Sequence, residues 1–186
     1  MIEHDPDADL LPRIALGDQA AIRQIVTHKL PRLLALGVRM LNNHAEAEEV
    51  AQETFVRVWK HANDWKQHNA KFDTWLHRVA LNLCYDRLRV RPNYSDEYAP
   101  EQFDPALIPE QRLVKTQQGN QVSAALALLP SRQREALVLQ YYQAISNIEA
   151  AELMDISVDA LESLLSRARR NMRTILLQQG FVKETE

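Results

Sequence analysis

Cysteine and glycine are scarce in this 186-residue chain. Its one cysteine, Cys84, excludes an intramolecular disulfide and fits a reducing compartment. Only four glycines occur, no Asn-Gly or Asp-Gly hairpin signal is present, and no segment shows convincing strand alternation. Apolar residues instead recur at helical spacing over long stretches. These features predict an all-α protein.

Long apolar runs, a targeting signal and excess positive charge are also missing. No run approaches the roughly 18 apolar residues of a membrane span, and the N-terminal MIEHDPDADLLPR lacks a basic start. We therefore expect a cytoplasmic protein. The formal net charge is −3, whereas tight binding to naked DNA depends on phosphate neutralisation by Lys and Arg. If the chain reads DNA, a further partner must supply much of the affinity.

Charge and proline divide the chain into three parts. Residues 1–92 hold 13 Lys/Arg against 12 Asp/Glu, and residues 112–186 hold nine against eight. Between them, 93–111 hold five acids, three prolines and no Lys or Arg, without helical periodicity. We expect two small helical domains, 1–92 and 112–186, joined by a flexible acidic linker, 93–111.

The second domain contains the pattern of a helix-turn-helix. Residues 147–170 read NIEAAELMDISVDALESLLSRARR. Ala151 is small where two helices would cross, Asp155 tolerates the left-handed turn conformation, and Leu161 is the apolar plug. Ser157 is a good N-cap for the second helix. Before this motif, Pro130 predicts a break between two further helices.

Local signals in the first domain predict several helix ends. Asp18, Asn43 and Asp73 are candidate N-caps, and Asn43 forms a plausible capping box with Glu46. Pro31 should break or kink a helix near its preceding residue. Further along, a polar stripe at helical spacing comprises Arg78, Asn82, Tyr85 and Arg89.

Four segments together resemble the extracytoplasmic-function sigma factors of bacterial RNA polymerase. They are AEAEEVAQETFVRVWK, FDTWLHRVALNLCYDRLR, LLPSRQREALVLQYY and IEAAELMDISVDALESLLSRARR. The resemblance implies that the N-terminal domain docks on the clamp helices of the largest polymerase subunit and melts and reads the −10 promoter element. The C-terminal domain would read the −35 element. It also implies an anti-sigma factor as partner, often membrane-tethered, and no reaction chemistry of the chain's own.

The resemblance assigns site residues by position. The docking helix would present Glu49, Gln52 and Glu53. A flipped −10 base would be held by the loop with Trp65 and Asn69 and by Asn82, which shares its polar stripe with Arg78; such a base needs an aromatic platform and hydrogen-bonding groups. The −35 contacts would come from Gln140, Ser163, Ser166, Arg167 and Arg169.

Glu162 departs from the family pattern, as does Leu164, because many relatives carry Lys or Arg at both places. A carboxylate is repelled by phosphates but can accept a hydrogen bond from cytosine N4 in the major groove. Arg167, Arg169 and Arg170 would anchor the flanking phosphates. We therefore expect Glu162 to select a cytosine, although pairing with a neighbouring basic side chain is an alternative of nearly equal weight.

Plainer interpretations stay open for the other candidates. The arginines could complement a helix end, the acidic face could be solvated surface, and Trp65 could cover the core edge. An operator-binding regulator is the rival function. It predicts tight duplex binding without polymerase, and the near-neutral charge and the acidic linker speak against such binding. An α-helical metalloenzyme would need ExxH spacing, which AEAEEVAQE lacks. His61, His68, His77 and Cys84 form no compact ligand pair, so we expect no metal and no cofactor.

Overall fold

The computed structural model describes residues 6–65, 71–92, 94 and 118–180, and within them every regular element is helical. The all-α prediction is therefore confirmed. Chain contacts divide the protein into two compact units, Met1–Arg91 and Pro92–Glu186. The predicted linker, 93–111, lies outside the described residues except for Tyr94. None of the described helices combines the length and apolar character that a membrane span requires.

Eight α-helices follow one another within the described residues. In the first unit, a 3-10 turn, Ala8–Leu10, leads into α1 (Leu11–Ala15), α2 (Gln19–Leu41), α3 (His44–His61) and α4 (Phe72–Arg89). The second unit holds α5 (Gln118–Leu128), α6 (Ser131–Leu137), α7 (Asn147–Met154) and α8 (Val158–Gln178). A π-helical segment, Val138–Tyr142, continues α6.

Two of the predicted caps in the first unit are confirmed. Asp18 Oδ1 accepts from the backbone N–H of Ala20 at 2.8 Å and of Ala21 at 3.3 Å. Asn43 Oδ1 accepts from Glu46 N at 3.2 Å, while Asn43 Nδ2 donates to Glu46 Oε1 at 3.0 Å. Each satisfies a donor that the first helical turn would leave unpaired.

Of the break or kink predicted at Pro31, the break is wrong, because α2 runs through this residue. Proline inside a helix removes one hydrogen bond and crowds the preceding turn, at a cost of about 3 kcal/mol. Burial on both sides offsets this cost: Ile25 and Leu33 are within 1% of complete burial, and each buried aliphatic side chain contributes about 1.5–3 kcal/mol. The apolar stripe stays in phase across the proline, so one continuous helix buries more surface than two.

A buried lysine ties three parts of the first unit together. Lys29 Nζ lies 2.5 Å from Asp7 Oδ2 and 2.5 Å from Asp73 Oδ1. Asp73 was predicted to cap α4, but α4 begins at Phe72, so Asp73 already lies within the helix. Its carboxylate is taken by Lys29 and, at 3.4 Å, by Arg32. The Lys29 clamp, meaning Lys29 with Asp7 and Asp73, thus joins the N-terminal turn, α2 and the start of α4.

Helices α2 and α3 cross at Gly37, which has no side chain. A Cβ built on Gly37 would lie 2.8 Å from Ala47 Cβ and 3.0 Å from Ala47 Cα. Real Cβ atoms do not approach that closely, so any larger residue at position 37 must push the helices apart. Gly37 and Ala47 are both buried, and α3 is fixed against α2 at this crossing.

A buried arginine of α6 binds the end of α5 in the second unit. Arg134 lies 7% exposed and donates to the carbonyls of Leu126, Ala127 and Leu129 at 2.8, 2.7 and 3.2 Å. These carbonyls end α5, so the cation satisfies acceptors that have no partner within the helix. The predicted break at Pro130 is confirmed, because α5 ends and α6 begins on either side of it.

Candidate functional site

The helix-turn-helix predicted from the spacing is present in α7 and α8. Asp155 adopts the left-handed conformation, with φ 55° and ψ 48°, and ends α7. Ser157 Oγ accepts from Ala160 N at 3.1 Å and caps α8. Ala151 is 3% exposed and Leu161 is fully buried, as the crossing and the plug require. The cap of α7 is Ser146, whose Oγ accepts from Glu149 N at 3.3 Å.

The outer face of α8 carries most of the side chains predicted to contact DNA. Glu162, Ser163, Ser166, Arg169 and Arg170 are exposed, and Arg167 is half-buried. Leu164 points into the unit, with 7% of its surface exposed. The departure from the family pattern at Leu164 therefore lies in the core, and only the one at Glu162 changes the accessible face.

Glu162 has no ion-pair or hydrogen-bond partner among the residues that the structure describes. Its neighbours one helical turn away are Val158, Asp159, Leu165 and Ser166, and none is basic. A pair with a neighbouring cation, the alternative raised by the sequence, is therefore absent from the described part of the chain. The carboxylate is accessible and retains its full capacity to accept hydrogen bonds.

Arg169 is held in place by the π-helical segment. Its Nε donates to the hydroxyl of Tyr141 at 2.9 Å, and its guanidinium carbon lies 5.8 Å from the centre of that ring. Arg169 Nη2 donates to Gln140 Oε1 at 3.4 Å, and Gln140 Nε2 donates to Asn147 Oδ1 at 2.9 Å. The amide of Gln140, predicted to contact DNA, is thus engaged within the protein. Tyr141 and Asn147 were not identified from the sequence.

In the first unit, α4 is buried around most of its circumference and exposes one narrow stripe. Arg78, Asn82, Asp86 and Arg89 are exposed along it, with Trp75 half-buried at its start. The prediction that Tyr85 shares this stripe is wrong: Tyr85 is 8% exposed. Tyr85 and Asp86 lie three and four residues after Asn82, so helical spacing allows either of them on the stripe. The aromatic Tyr85 packs into the core, and Asp86 faces solvent.

Three aromatic rings meet beside the start of α4. The ring centres of Trp65 and Trp75 are 5.4 Å apart, those of Trp65 and Phe72 are 5.6 Å apart, and those of Phe72 and Trp75 are 5.9 Å apart. Trp65 Nε1 is buried and has no hydrogen-bond partner among the described residues. Asn69, also predicted here, lies outside the described residues.

Trp75 connects this aromatic group, Trp65, Phe72 and Trp75, with the polar stripe. It lies two helical turns before Asn82, so both side chains belong to one face of α4. Its half-buried position leaves ring surface at the edge of the stripe. A stacking surface and an exposed amide without a partner in the described chain therefore occupy one face, which suits an unpaired base.

The outer face of α3 bears Glu49, Gln52 and Glu53, all exposed. Glu49 Oε2 lies 3.4 Å from Arg87 Nη2, and Glu53 Oε1 lies 3.3 Å from Arg57 Nη2. The side chains of Glu49 and Glu53 are 66% and 49% exposed. Exposed pairs of this kind contribute about 0–1 kcal/mol, so either carboxylate can exchange its arginine for a partner's cation.

The described residues contain no group of three or more His, Cys, Asp or Glu side chains placed to hold a metal ion. His77 Nδ1 lies 2.7 Å from the carbonyl oxygen of Asp73, and Cys84 is buried. His68 lies outside the described residues.

Comparison with known proteins adds three findings. Residues 25–92 match the family described as Sigma-70 region 2, and residues 119–172 match Sigma-70, region 4. The chain is 32% identical to the ECF RNA polymerase sigma factor SigW of Bacillus subtilis over 175 residues, covering 88% of this chain and 92% of SigW. It is 29% identical to the RNA polymerase sigma-H factor of Pseudomonas aeruginosa, covering 91% and 93%.

Solved structures give the same picture. CnrH, in its complex with the cytosolic domain of CnrY, superimposes with a TM-score of 0.69 and 27% identity, over 92% of this chain and 97% of CnrH. The sigma factor RpoE of Bartonella quintana, in complex with the anti-sigma factor NepR, has a TM-score of 0.64 and 24% identity. It covers 83% of this chain and 96% of RpoE, and it supports the fold.

Proposed function

The protein belongs to the extracytoplasmic-function sigma factors of bacterial RNA polymerase, and from that premise we propose how its surfaces divide the work. The outer face of α3 docks on the clamp helices of the polymerase. The stripe of α4 and the aromatic group hold an unpaired base of the −10 element. Helix α8 reads the −35 element. RNA synthesis belongs to the polymerase, and we ascribe no reaction to this chain.

One observation carries the proposal. The 32% identity to SigW extends over nearly the full length of both chains and includes regions 2 and 4 in their usual order. An operator-binding regulator would explain the helix-turn-helix of α7 and α8 but leaves the match of residues 25–92 without a role. The action proposed here takes place in the cytoplasm, where the polymerase works.

Docking is supported by the charge and exposure of α3. Glu49 and Glu53 present two carboxylates one helical turn apart, with the amide of Gln52 beside them. Arg87 and Arg57 keep these carboxylates oriented in the free protein at distances of 3.4 and 3.3 Å. Cations of the clamp helices would replace these weak pairs, so little stability is lost on docking.

Base capture at the −10 element is supported by Asn82 and Trp75. Asn82 is exposed and unpartnered among the described residues, so its amide can donate to and accept from a base edge. The half-buried Trp75 ring, backed by Trp65 at 5.4 Å, gives a rigid surface for stacking. The Lys29 clamp fixes the start of α4 and thereby the position of these side chains.

Reading of the −35 element is supported by the mixed charge of α8. The accessible carboxylate of Glu162 can accept from cytosine N4, while Arg167, Arg169 and Arg170 approach phosphates. Contacts to phosphates fix the register of the helix, and Glu162 supplies the sequence preference. The net charge of −3 keeps the free protein from binding duplex DNA tightly.

An anti-sigma factor is the proposed regulator. The similar protein CnrH is bound by the cytosolic domain of CnrY, and the similarity covers 92% of this chain. A partner of that kind, whether free or tethered to a membrane, would cover the polymerase-docking surface and keep the protein inactive. Co-purification with the tagged full-length chain would identify it.

Reconstituted transcription tests the proposed function. The purified chain is added to core RNA polymerase on a library of genomic fragments from the source organism, and the transcript 5′ ends are sequenced. We expect initiation at a shared promoter sequence that core polymerase alone does not use. Glu49→Lys/Glu53→Lys is the matched negative variant, and Asp9→Lys, which reverses an exposed charge of the same unit outside α3, is the control.

Duplex binding by the isolated chain distinguishes the rival function. Anisotropy titrations with the selected promoters should show no specific nanomolar binding at physiological salt without polymerase. Specific nanomolar binding by the chain alone, together with no change in transcription start sites, would establish an operator-binding regulator and overturn the proposal.

A further inference from the structure

Tyr141 is exposed yet fixed to the recognition helix. Its side chain keeps 58% of its surface accessible, which is unusual for a large aromatic residue. Its hydroxyl accepts a hydrogen bond from Arg169 Nε at 2.9 Å, and its ring lies under the guanidinium at 5.8 Å. These contacts span 28 residues of sequence and join the π-helical segment to α8.

The π-helical segment brings the tyrosine to this position. Gln143 N donates to Val138 O at 3.1 Å, five residues earlier, which is the hydrogen bond of a π-turn. Gln140 and Tyr141 lie within this wider turn, and both side chains contact Arg169. Asn147 fixes the amide of Gln140 at 2.9 Å.

The guanidinium keeps a defined set of donors for DNA. Of the five N–H groups of an arginine, one on Nε goes to Tyr141 and one on Nη2 goes to Gln140. The other three have no partner among the described residues. They lie at the outer end of the planar group, which is the geometry for contacting a phosphate or a guanine edge.

We propose that Tyr141 is a positioning residue that holds Arg169 in its DNA-binding orientation before the −35 element arrives. An unrestrained arginine loses rotamer freedom when it binds, and holding it beforehand removes part of that cost. The role rests on the proposed function, because it requires that Arg169 contacts promoter DNA. Tyr141 itself need not touch the DNA.

A double-mutant cycle tests this role. Core polymerase is assembled with the wild type, Tyr141→Phe, Arg169→Ala or the double variant, and the affinity for a duplex promoter fragment is measured at several salt concentrations. Tyr141→Phe keeps the ring and every charge but removes the hydroxyl acceptor. We expect affinity to fall about 2- to 10-fold, the equivalent of one hydrogen bond, with an unchanged salt slope.

The other members of the cycle give distinct results. Arg169→Ala should lower affinity and reduce the magnitude of the salt slope by about 1, because one phosphate contact is lost. In the Arg169→Ala background, Tyr141→Phe should have no further effect. Tyr142→Phe is the matched control, because it removes a neighbouring hydroxyl, whereas the hydrogen bonds described between Arg169 and this segment go to Tyr141 and Gln140.

Three outcomes would overturn the proposal. Unchanged affinity of Tyr141→Phe would mean that the hydrogen bond does not matter, although Arg169→Ala could still confirm the −35 role of Arg169. Equal effects of Tyr141→Phe with and without Arg169 would mean that the tyrosine contacts DNA directly. Unchanged affinity of Arg169→Ala would overturn both the −35 contact of Arg169 and the role of Tyr141.

Discussion

Replacing Lys29 by methionine should destabilise the first unit strongly. The Lys29 side chain is 7% exposed, and it separates the carboxylates of Asp7 and Asp73, which are 18% and 34% exposed. Breaking a buried ion pair by removing one partner costs about 3–5 kcal/mol, because the remaining charge is uncompensated. We expect about 3 kcal/mol, the low end, because Asp73 retains Arg32 at 3.4 Å and contact with solvent.

The loss should depend on pH in a defined direction. Burial would raise the pKa of Asp7, but contacts with Lys29 and His28 outweigh it and lower that pKa below 3.8. Burial would lower the pKa of Lys29, but Asp7 and Asp73 outweigh it and raise that pKa above 10.5. The stabilisation is therefore complete between about pH 4 and pH 10, lost on acidification through the folded pKa of Asp7, and lost above the folded pKa of Lys29.

Tryptophan fluorescence can follow this unit selectively, because all three tryptophans of the chain, Trp59, Trp65 and Trp75, lie within it. Urea unfolding of wild type and Lys29→Met at pH 7 and pH 3 gives the free energy of unfolding at each pH. The difference between the two proteins should shrink at pH 3. Arg32→Met, which removes a 44% exposed cation from the same helix, should cost less than about 1 kcal/mol. A Lys29→Met protein within about 0.5 kcal/mol of wild type at pH 7 would refute this account.

Three further predictions concern recognition. Glu49→Lys/Glu53→Lys should weaken binding to core polymerase while leaving the melting temperature unchanged, because both residues are exposed and surface changes shift stability by about 0.5 kcal/mol or less; Kd for core and thermal unfolding measure this. Asn82→Ala should reduce promoter opening by about 1–3 kcal/mol, read by permanganate reactivity of melted thymines, because a base loses a hydrogen-bond partner. Glu162→Ala should relax the preference at a single −35 base pair in a selected promoter library, and Glu162→Gln should shift that preference from cytosine towards adenine.

Controls separate these effects from loss of folding. Asp9→Lys should leave core affinity unchanged, and if it weakens core binding as much as the double variant does, the assigned face is wrong. For Asn82→Ala, initial duplex binding by the holoenzyme is the internal reference, and normal opening would contradict base capture. For Glu162→Ala, uniformly altered activity with the same preferred sequence would show that Glu162 makes no base contact.

Local features of the fold could be predicted from the sequence. The caps at Asp18, Asn43 and Ser157 and the left-handed Asp155 depend on residues within one helical turn, so a short pattern contains the information. Asp73 was misjudged because its partner, Lys29, is 44 residues away and nothing nearby signals the pairing. Pro31 was misjudged because packing on both sides outweighs a local cost.

The candidate site shows the same limit. Helical periodicity predicted the exposure of Asn82, and the positions assigned by the family resemblance predicted that of Glu49 and Glu162. The contact between Tyr141 and Arg169 did not, because it depends on a π-turn that no residue pattern announced and on a separation of 28 residues. Helical spacing also allowed either Tyr85 or Asp86 on the stripe of α4, and only the packed core decides between them.

The absence of a side chain at Gly37 has a consequence for the proposed docking of α3 on the polymerase. Ala47 touches the bare backbone of α2, and Glu49 lies two residues later, on roughly the opposite side of α3. A single methyl group at position 37 would push α3 away from α2 or change the angle between the two helices. The carboxylates of Glu49 and Glu53 on the opposite side of α3 would then be displaced from the cations of the proposed docking surface on the polymerase. The alignment of the proposed docking contact therefore depends on the absence of a Cβ atom at position 37.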